Sequence, residues 1–222
     1  RAPAWLVDYS RFHVFELPDL GGAPLPPGLA SRNISADDLL EVAACRQMTD
    51  PQMGVRHMAR RFDQRCICVG LQRGQRLAGY AWASAGTNIR EDQDRYTMSL
   101  GPSGAYIFDT FLSPADRGQG LYEHLIRALQ TRLRGQGVKR FFVTVDASNV
   151  RSLKAHAKLG ARWVESITYW RRLGIETHRA ESPSSRRSSS DWPWRPRLFP
   201  SPQLTPEAIE GTPTSPRNEL AS

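Results

Sequence analysis

The chain has 222 residues, 40% hydrophobic, 23% charged and 9% aromatic, an ordinary globular composition with length for one moderate domain and an appendage. Collagenous, coiled-coil and disulfide-scaffold proteins are excluded. The formal net charge of +8 fits a phosphate-bearing ligand, a nucleic acid or nothing beyond solubility; residues 181–222 hold five arginines against five acids, so the excess lies in residues 1–180. Cys45, Cys66 and Cys68 form no paired framework, and Cys66-Ile67-Cys68 has one residue between its sulfurs where a zinc or redox motif wants two. Three reduced thiols in a cytoplasmic protein are expected. No run approaches the 18 or so apolar residues of a membrane span, and the first residues lack the basic-then-apolar pattern of a secretory signal, although Arg1 in place of Met leaves the true start open.

In chain order, Trp5 to Leu17 reads as a strand and Pro18 to Gly28 as a Gly- and Pro-rich loop. Ser35-Ala36-Asp37-Asp38 opens a helix with a serine cap and acids in its first turn. Asp50-Pro51 starts a second helix toward Phe62. Cys66 to Leu71 and Arg76 to Ser84 are β-rich runs joined by Gln72-Arg73-Gly74-Gln75, a hairpin signal. Asn88 to Gly104 is expected to be a polar loop, and Ala105 to Leu112 a strand. Leu121, Leu125, Ala128, Leu129 and Leu133 recur at helical spacing until Gly135. Val138 to Val145 is a further strand, Val150 to Leu159 a helix closed by Gly160, and Trp163 to Leu173 a last strand. Residues 181–222 carry eight of the sixteen prolines and serine-rich runs. Such a segment buries too little apolar surface to offset its ordering entropy, so a disordered tail is expected, with Trp192, Trp194, Leu198 and Phe199 its only anchor candidates. Strand, crossover helix and strand near the middle imply an α/β domain over residues 1–180.

Arg117-Gly118-Gln119-Gly120-Leu121-Tyr122 lies between a strand and an amphipathic helix. A glycine-rich turn there leaves backbone N–H groups free at a helix N-terminus, a ready anion site. It is not a Walker loop, since no Gly-Lys-Ser/Thr follows, and Glu123 stands where a dinucleotide fingerprint wants glycine. By itself a Gly-x-Gly also reads as a plain tight turn. Asn149 then opens the next helix directly after a strand, and Leu153, His156, Leu159 and Gly160 follow it at fixed offsets.

Together Leu112-Ser113-Pro114-Ala115-Asp116-Arg117-Gly118-Gln119-Gly120 and Asn149-Val150-Arg151-Ser152-Leu153-Lys154-Ala155-His156-Ala157-Lys158-Leu159-Gly160 resemble the two signature segments of the GCN5-related N-acetyltransferase (GNAT) family. The first resembles its Arg/Gln-x-x-Gly-x-Gly/Ala diphosphate loop, the second its Asn-led helix ending in Lys-Leu-Gly-Phe. The resemblance extends with decreasing sharpness over residues 5–175 and implies a mixed, mostly antiparallel central sheet flanked by helices. Three positions depart from the pattern. Tyr122 takes a small-residue position, with a side chain expected to turn away; Ala161 replaces a Phe; and His156 stands where the family has a Tyr that reaches the thioester sulfur.

The resemblance implies acetyl transfer from acetyl-CoA to an amine by direct attack. The diphosphate would be held by N–H groups from Gly118, Gln119, Gly120, Leu121 and Tyr122, with Arg117 beside them. The oxyanion would be met by a backbone N–H at a strand bulge near Phe111 or Leu112. Asn149, Ser152 and Lys154 complete the coenzyme set, and His156 is the candidate proton donor to the thiolate. Asp109 is the candidate base, because simple alternation puts it on one face with the apolar Ile107 and Phe111; a structural carboxylate paired with arginine is the plainer alternative. Glu91, Asp92 and Asp94 could attract a cationic amine or be solvated loop residues. Arg151, Lys154 and Lys158 could meet coenzyme phosphates or form an exposed helix face. His13, His57, His124 and His178 have no metal-ligand spacing, and no metal is expected. The expected partner is a small-molecule amine, with protein N-acetylation or a silent acyl-CoA-binding module as alternatives. Neither nucleic acid nor membrane is expected, and a homodimer is left open.

Overall fold

The structure, a computed structural model, describes residues 7–86, 88–90, 97–172 and 175–181. Ten strands and four α-helices follow in the order β1 (Val7–Leu17), β2 (Leu29–Ile34), α1 (Leu39–Arg46), α2 (Pro51–Asp63), β3 (Ile67–Arg73), β4 (Arg76–Ala85), β5 (Asn88–Arg90), β6 (Thr97–Ser99), β7 (Gly104–Leu112), α3 (Leu121–Arg134), β8 (Arg140–Asp146), α4 (Val150–Lys158), β9 (Arg162–Arg172) and β10 (Ile175–Glu181). Eight strands form one sheet in the order β10-β9-β1-β8-β7-β4-β3-β2, and β5 pairs with β6 alone. Every pair in the large sheet is antiparallel except β7 with β8. A parallel pair needs a crossover, and α3 supplies it.

Local chemistry accounts for the helix starts. The Asp38 carboxylate takes the backbone N–H and hydroxyl of Ser35, both at 2.7 Å, across the single 3-10 turn that leads into α1. Asp50 accepts from Met53 N–H at 2.9 Å, and Pro51 occupies the first turn of α2, where its missing N–H costs nothing. In α3, Leu121, Leu125, Ile126, Leu129 and Leu133 are all buried and pack with Ile107, Phe141, Val143 and Val145 on one side of the sheet. Burying a leucine of this kind contributes roughly 1.5–3 kcal/mol. Alternation turns Tyr106, Phe108 and Phe142 to the other side, where α1 and α2 cover Tyr80 and Trp82.

Two expectations need correction, and one strand, β2, has no counterpart in the sequence reading. β2 is an edge strand whose central residues Ala30, Ser31 and Asn33 are exposed, so its sequence carries no alternation strong enough to announce it. The polar stretch 88–104 contains β5 and β6 as a short hairpin rather than loop alone. β9 is not the last strand: β10 pairs with it as a polar edge and runs to Glu181, whose carboxylate meets Arg11 at 3.1 Å. The expected tail, including Trp192 and Trp194, lies beyond the described residues.

Candidate active site

β7 and β8 pair over only four residues, from Gly104↔Arg140 to Ile107↔Val143. Just past the last pair, β7 bulges. Tyr80 faces Phe111 and Trp82 faces Phe108, so Asp109 and Thr110 together oppose Ala81, and Asp109 takes φ 43°. A bulge bends its strand and increases its twist, which draws β7 away from β8 and opens a cleft between parallel strands. Beyond the bulge, Ser113 N–H donates to Ala78 O at 2.9 Å. With Gly79 opposite Leu112, the N–H and carbonyl of Leu112 therefore face away from β4, toward the cleft.

The bulge overturns the expectation that Asp109 shares a face with Ile107. Ile107 packs beneath α3, whereas Asp109 lines a cavity on the opposite side, because one residue in the left-handed region breaks the two-residue period. There the Asp109 carboxylate receives Arg46 on one oxygen and Arg61 on the other, the second at 2.5 Å. Arg61 also stacks over Trp82 and Phe108, at 5.0 and 5.2 Å from their ring centres, and Arg46 bonds Tyr80 Oη at 3.0 Å. The cavity has a volume of about 550 Å³, and Tyr106, Thr144, His57 and Met58 are among its other lining residues. Sequence reasoning missed Arg46 and Arg61, which lie in the last turns of α1 and α2, 63 and 48 residues from Asp109. Glu91, Asp92 and Asp94 lie outside the described residues.

The turn between β7 and α3 has the backbone form of an anion site. Gly118 and Gly120 have φ of 77° and 76°, and a Cβ on either would meet no atom within 4 Å. Packing does not demand glycine there; the left-handed backbone does. Among the described residues, the N–H groups of Gly118, Gln119, Gly120, Leu121 and Tyr122 have no protein acceptor. They gather at the positive end of the α3 dipole. Below the turn, the fully buried Asp116 carboxylate is 2.7 Å from Arg76 and 3.3 Å from Arg73. Arg73 also holds the Gln119 side chain at 2.8 Å. Arg117 donates through Nε to the Leu112 carbonyl at 3.0 Å and lies over the Phe111 ring. Leu121 is buried in the core, so only its backbone is available to a ligand.

On the far side of the cleft, Asn149 caps α4 by accepting from Ser152 N–H at 3.1 Å. Arg151, Lys154 and Lys158 are exposed along the helix. His156 is 2% exposed, between the Phe15 ring stacked at 6.2 Å and the Tyr122 ring edge-on at 5.4 Å. Its Nδ1 is 2.8 Å from the Ser152 carbonyl and its Nε2 is 2.9 Å from Tyr122 Oη. A carbonyl only accepts, so Nδ1 carries a proton, and in the neutral ring Nε2 accepts from Tyr122. Burial lowers the His156 pKa, with the Ser152 carbonyl pulling the other way. Burial also pushes the Tyr122 hydroxyl up to about 12, against a hydrogen bond from Thr110. The Tyr122 side chain thus turns into the structure and joins α3 to α4. The contact spans 34 residues of sequence, and no local pattern could announce it.

Residues 36–161 match the model of the Acetyltransferase (GNAT) family. No curated protein matches the chain. Among solved structures, the chain resembles a GNAT-family acetyltransferase from Colwellia psychrerythraea at 15% identity and TM-score 0.52, covering 72% of this chain and 56% of that one. It also resembles a tandem GNAT protein from the clavulanic acid biosynthesis pathway at 19% identity and TM-score 0.52, covering 76% of this chain and 55% of that one. A conserved protein from Staphylococcus epidermidis, described as functionally unknown, gives 8% identity, TM-score 0.54 and coverage of 74% and 61%. The chain thus spans less than two thirds of each of these proteins, and at such identities the likeness is one of fold. The family match covers more than half of the chain and takes in the bulged strand, the glycine turn and the Asn149 helix; the protein belongs to the GNAT acetyltransferase family.

Proposed function

We propose that the protein is an N-acetyltransferase that moves the acetyl group of acetyl-CoA to an amine of a small molecule by direct attack. The observation that carries this reading is the glycine turn with its unbonded N–H groups at the head of α3, set beside a cleft where two parallel strands part. The donor set fits a diphosphate: several N–H groups converge on one helix terminus, and open space lies where side chains at Gly118 and Gly120 would stand. The N–H of Leu112, facing the cleft, would meet the developing oxyanion. Arg117 and the exposed Lys154 add positive charge near the coenzyme phosphates, while Asn149 and Ser152 hold the start of α4. The cavity around Asp109 would receive the acceptor. Both Asp109 oxygens are engaged by guanidinium groups, so its role is to position Arg46 and Arg61, and water takes the amine proton. A cytoplasmic setting, where thiols stay reduced, suits Cys45, Cys66 and Cys68, all of them free and at least half-buried.

The test is thiol release from acetyl-CoA with kanamycin, glucosamine, spermidine and a short peptide with a free N-terminus, paired with calorimetry of acetyl-CoA binding. Release with one of the three small amines is expected. Release with the peptide alone would replace the small-molecule assignment with protein N-acetylation. Binding without release for all four would favour a coenzyme-binding module.

A further inference from the structure

The chemistry of the acceptor beyond its amine is open in the acyl-transfer reading, on which this inference rests. The cavity on the α1 and α2 side is lined by Asp109 from β7 and Thr144 from β8, both just past the last pair between those strands. It therefore reaches the point where the strands part. Tyr106 Oη and Thr144 Oγ1 meet at 2.6 Å on its floor, and Phe108, Met48 and Met58 give it apolar wall. Among the described residues, the one acid in its lining is Asp109, and guanidinium groups hold both of that carboxylate's oxygens. The charged or protonatable nitrogens there, on Arg46, Arg61 and His57, all favour an anion. Such a lining suits a polycationic acceptor poorly.

The spare donors lie on Arg46. The Arg61 side chain is 7% exposed and takes one Asp109 oxygen at 2.5 Å. The Arg46 side chain is 41% exposed and spends only Nη1, on the other Asp109 oxygen and on Tyr80 Oη at 3.0 Å. Its Nε and Nη2, which form the side edge of the guanidinium, have no protein acceptor among the described residues. That edge is held in place, because Nη1 has two partners and Cζ lies 5.8 Å from the ring centre of Phe111. Phe111 precedes Leu112, so the charge stands beside the strand segment that would bind the acetyl group. A planar edge with two parallel N–H donors matches the two oxygens of a carboxylate. We propose that the acceptor is an amine that also carries a carboxylate, and that Arg46 receives this carboxylate through Nε and Nη2 while the amine faces the thioester.

Magnitudes decide whether such a contact selects a substrate. A fully exposed ion pair contributes little, whereas charge-assisted bonds between fixed groups are about twice as strong as neutral ones. Arg46 is only partly exposed and its fork is already fixed, so little ordering remains to oppose binding. Asp109 carries one negative charge and shares it between two guanidinium groups, so it does not neutralise Arg46 by itself. A hydroxyl in place of the carboxylate would lose the charge attraction and one of the two bonds. A single guanidinium edge balances one negative charge, which fits a carboxylate better than a phosphate monoester of nearly two.

The experiment measures kcat/KM for acetyl transfer with two matched pairs of acceptors, L-phenylalanine against L-phenylalaninol and 2-amino-2-deoxyglucuronic acid against glucosamine. Each pair exchanges one CH2OH group for a carboxylate. In the parent protein the carboxylate should be favoured in at least one pair by about tenfold or more. In Arg46→Gln, with folding checked by circular dichroism, that ratio should fall toward one. Arg46→Lys keeps a positive charge beside Asp109 but not the two-pronged edge, and should give an intermediate ratio. A purely structural role for Arg46 would change both members of a pair alike and leave the ratio where it was. Smaller parent ratios in both pairs, or transfer confined to amines without a carboxylate, would overturn the proposal and leave acyl transfer standing. That outcome decides alone if the variants do not fold. A preference that survives Arg46→Gln unchanged would overturn it as well. Absence of transfer to these four acceptors and to the rest of the amine panel would overturn it together with the reading beneath it.

Discussion

The two sides of bulged β7 solve different electrostatic problems. Toward α3 and α4, Tyr122, His156 and the Ser152 carbonyl form a chain of hydrogen bonds with no formal charge while the ring is neutral. Toward α1 and α2 the polar groups are ions: Asp109 and Arg61, largely buried, with the more exposed Arg46 beside them and aromatic faces against both guanidiniums. A neutral chain is inexpensive to bury and can change its proton arrangement. A buried ion cluster is costly to disturb and holds its geometry, because removing one member leaves the others uncompensated. The neutral chain lies on the side proposed for the coenzyme, and the ions on the side proposed for the acceptor.

The largest expected effect tests the coenzyme side. Gly120→Glu places a side chain and a negative charge in the anion cradle, at a φ of 76° that L-residues adopt at a cost of roughly 1–2 kcal/mol. Acetyl-CoA affinity should fall by at least about 3 kcal/mol, more than 10²-fold, in calorimetry on the folded variant. Unchanged affinity would remove the cradle from the site.

Asp109→Asn tests the acceptor side. Asparagine tolerates the left-handed backbone, so the substitution removes the charge with little added strain. With Arg61 nearly buried and Arg46 partly exposed, stability in urea should drop by about 2 kcal/mol, less than for a fully buried pair. Coenzyme affinity should not change; a parallel loss of both would mean that the two sides are one unit.

Asn149→Ala sharpens the boundary between them. Losing the cap on Ser152 N–H should cost about 1 kcal/mol of stability. Because Ser152 also holds His156, the variant should slow acetyl transfer more than it weakens coenzyme binding.

The smallest effect is a control on neither side. Burial pushes the Glu16 carboxyl up, but hydrogen bonds from Arg140 at 2.7 Å and from Arg162 outweigh it, so the net shift is downward. A lowered folded pKa adds stability that is present above the unfolded value and lost as pH falls through the folded one. The urea midpoint should therefore decline from about pH 4.5 downward by a step that Glu16→Gln lacks, with acetyl-CoA affinity at neutral pH the same in both proteins.

What the sequence by itself determined is what neighbours in the chain decide. Asp50-Pro51 and Asn149 start helices because a side-chain oxygen reaches an N–H three residues on. Gly118 and Gly120 mark the cradle because no other residue takes their backbone angles at so little cost. α3 announces its buried face through leucines at helical spacing. Only the tertiary structure decided the rest. The edge strands β2 and β10 are polar and exist because β3 and β9 offer them free backbone groups. The bulge at Asp109 arises from register against β4 and sends that carboxylate to the face opposite Ile107. The arginines that hold Asp109 and the tyrosine that meets His156 come from other elements, 34 to 63 residues away. Partners that far apart are chosen by packing, and a one-dimensional pattern holds no record of which side chains packing will bring together.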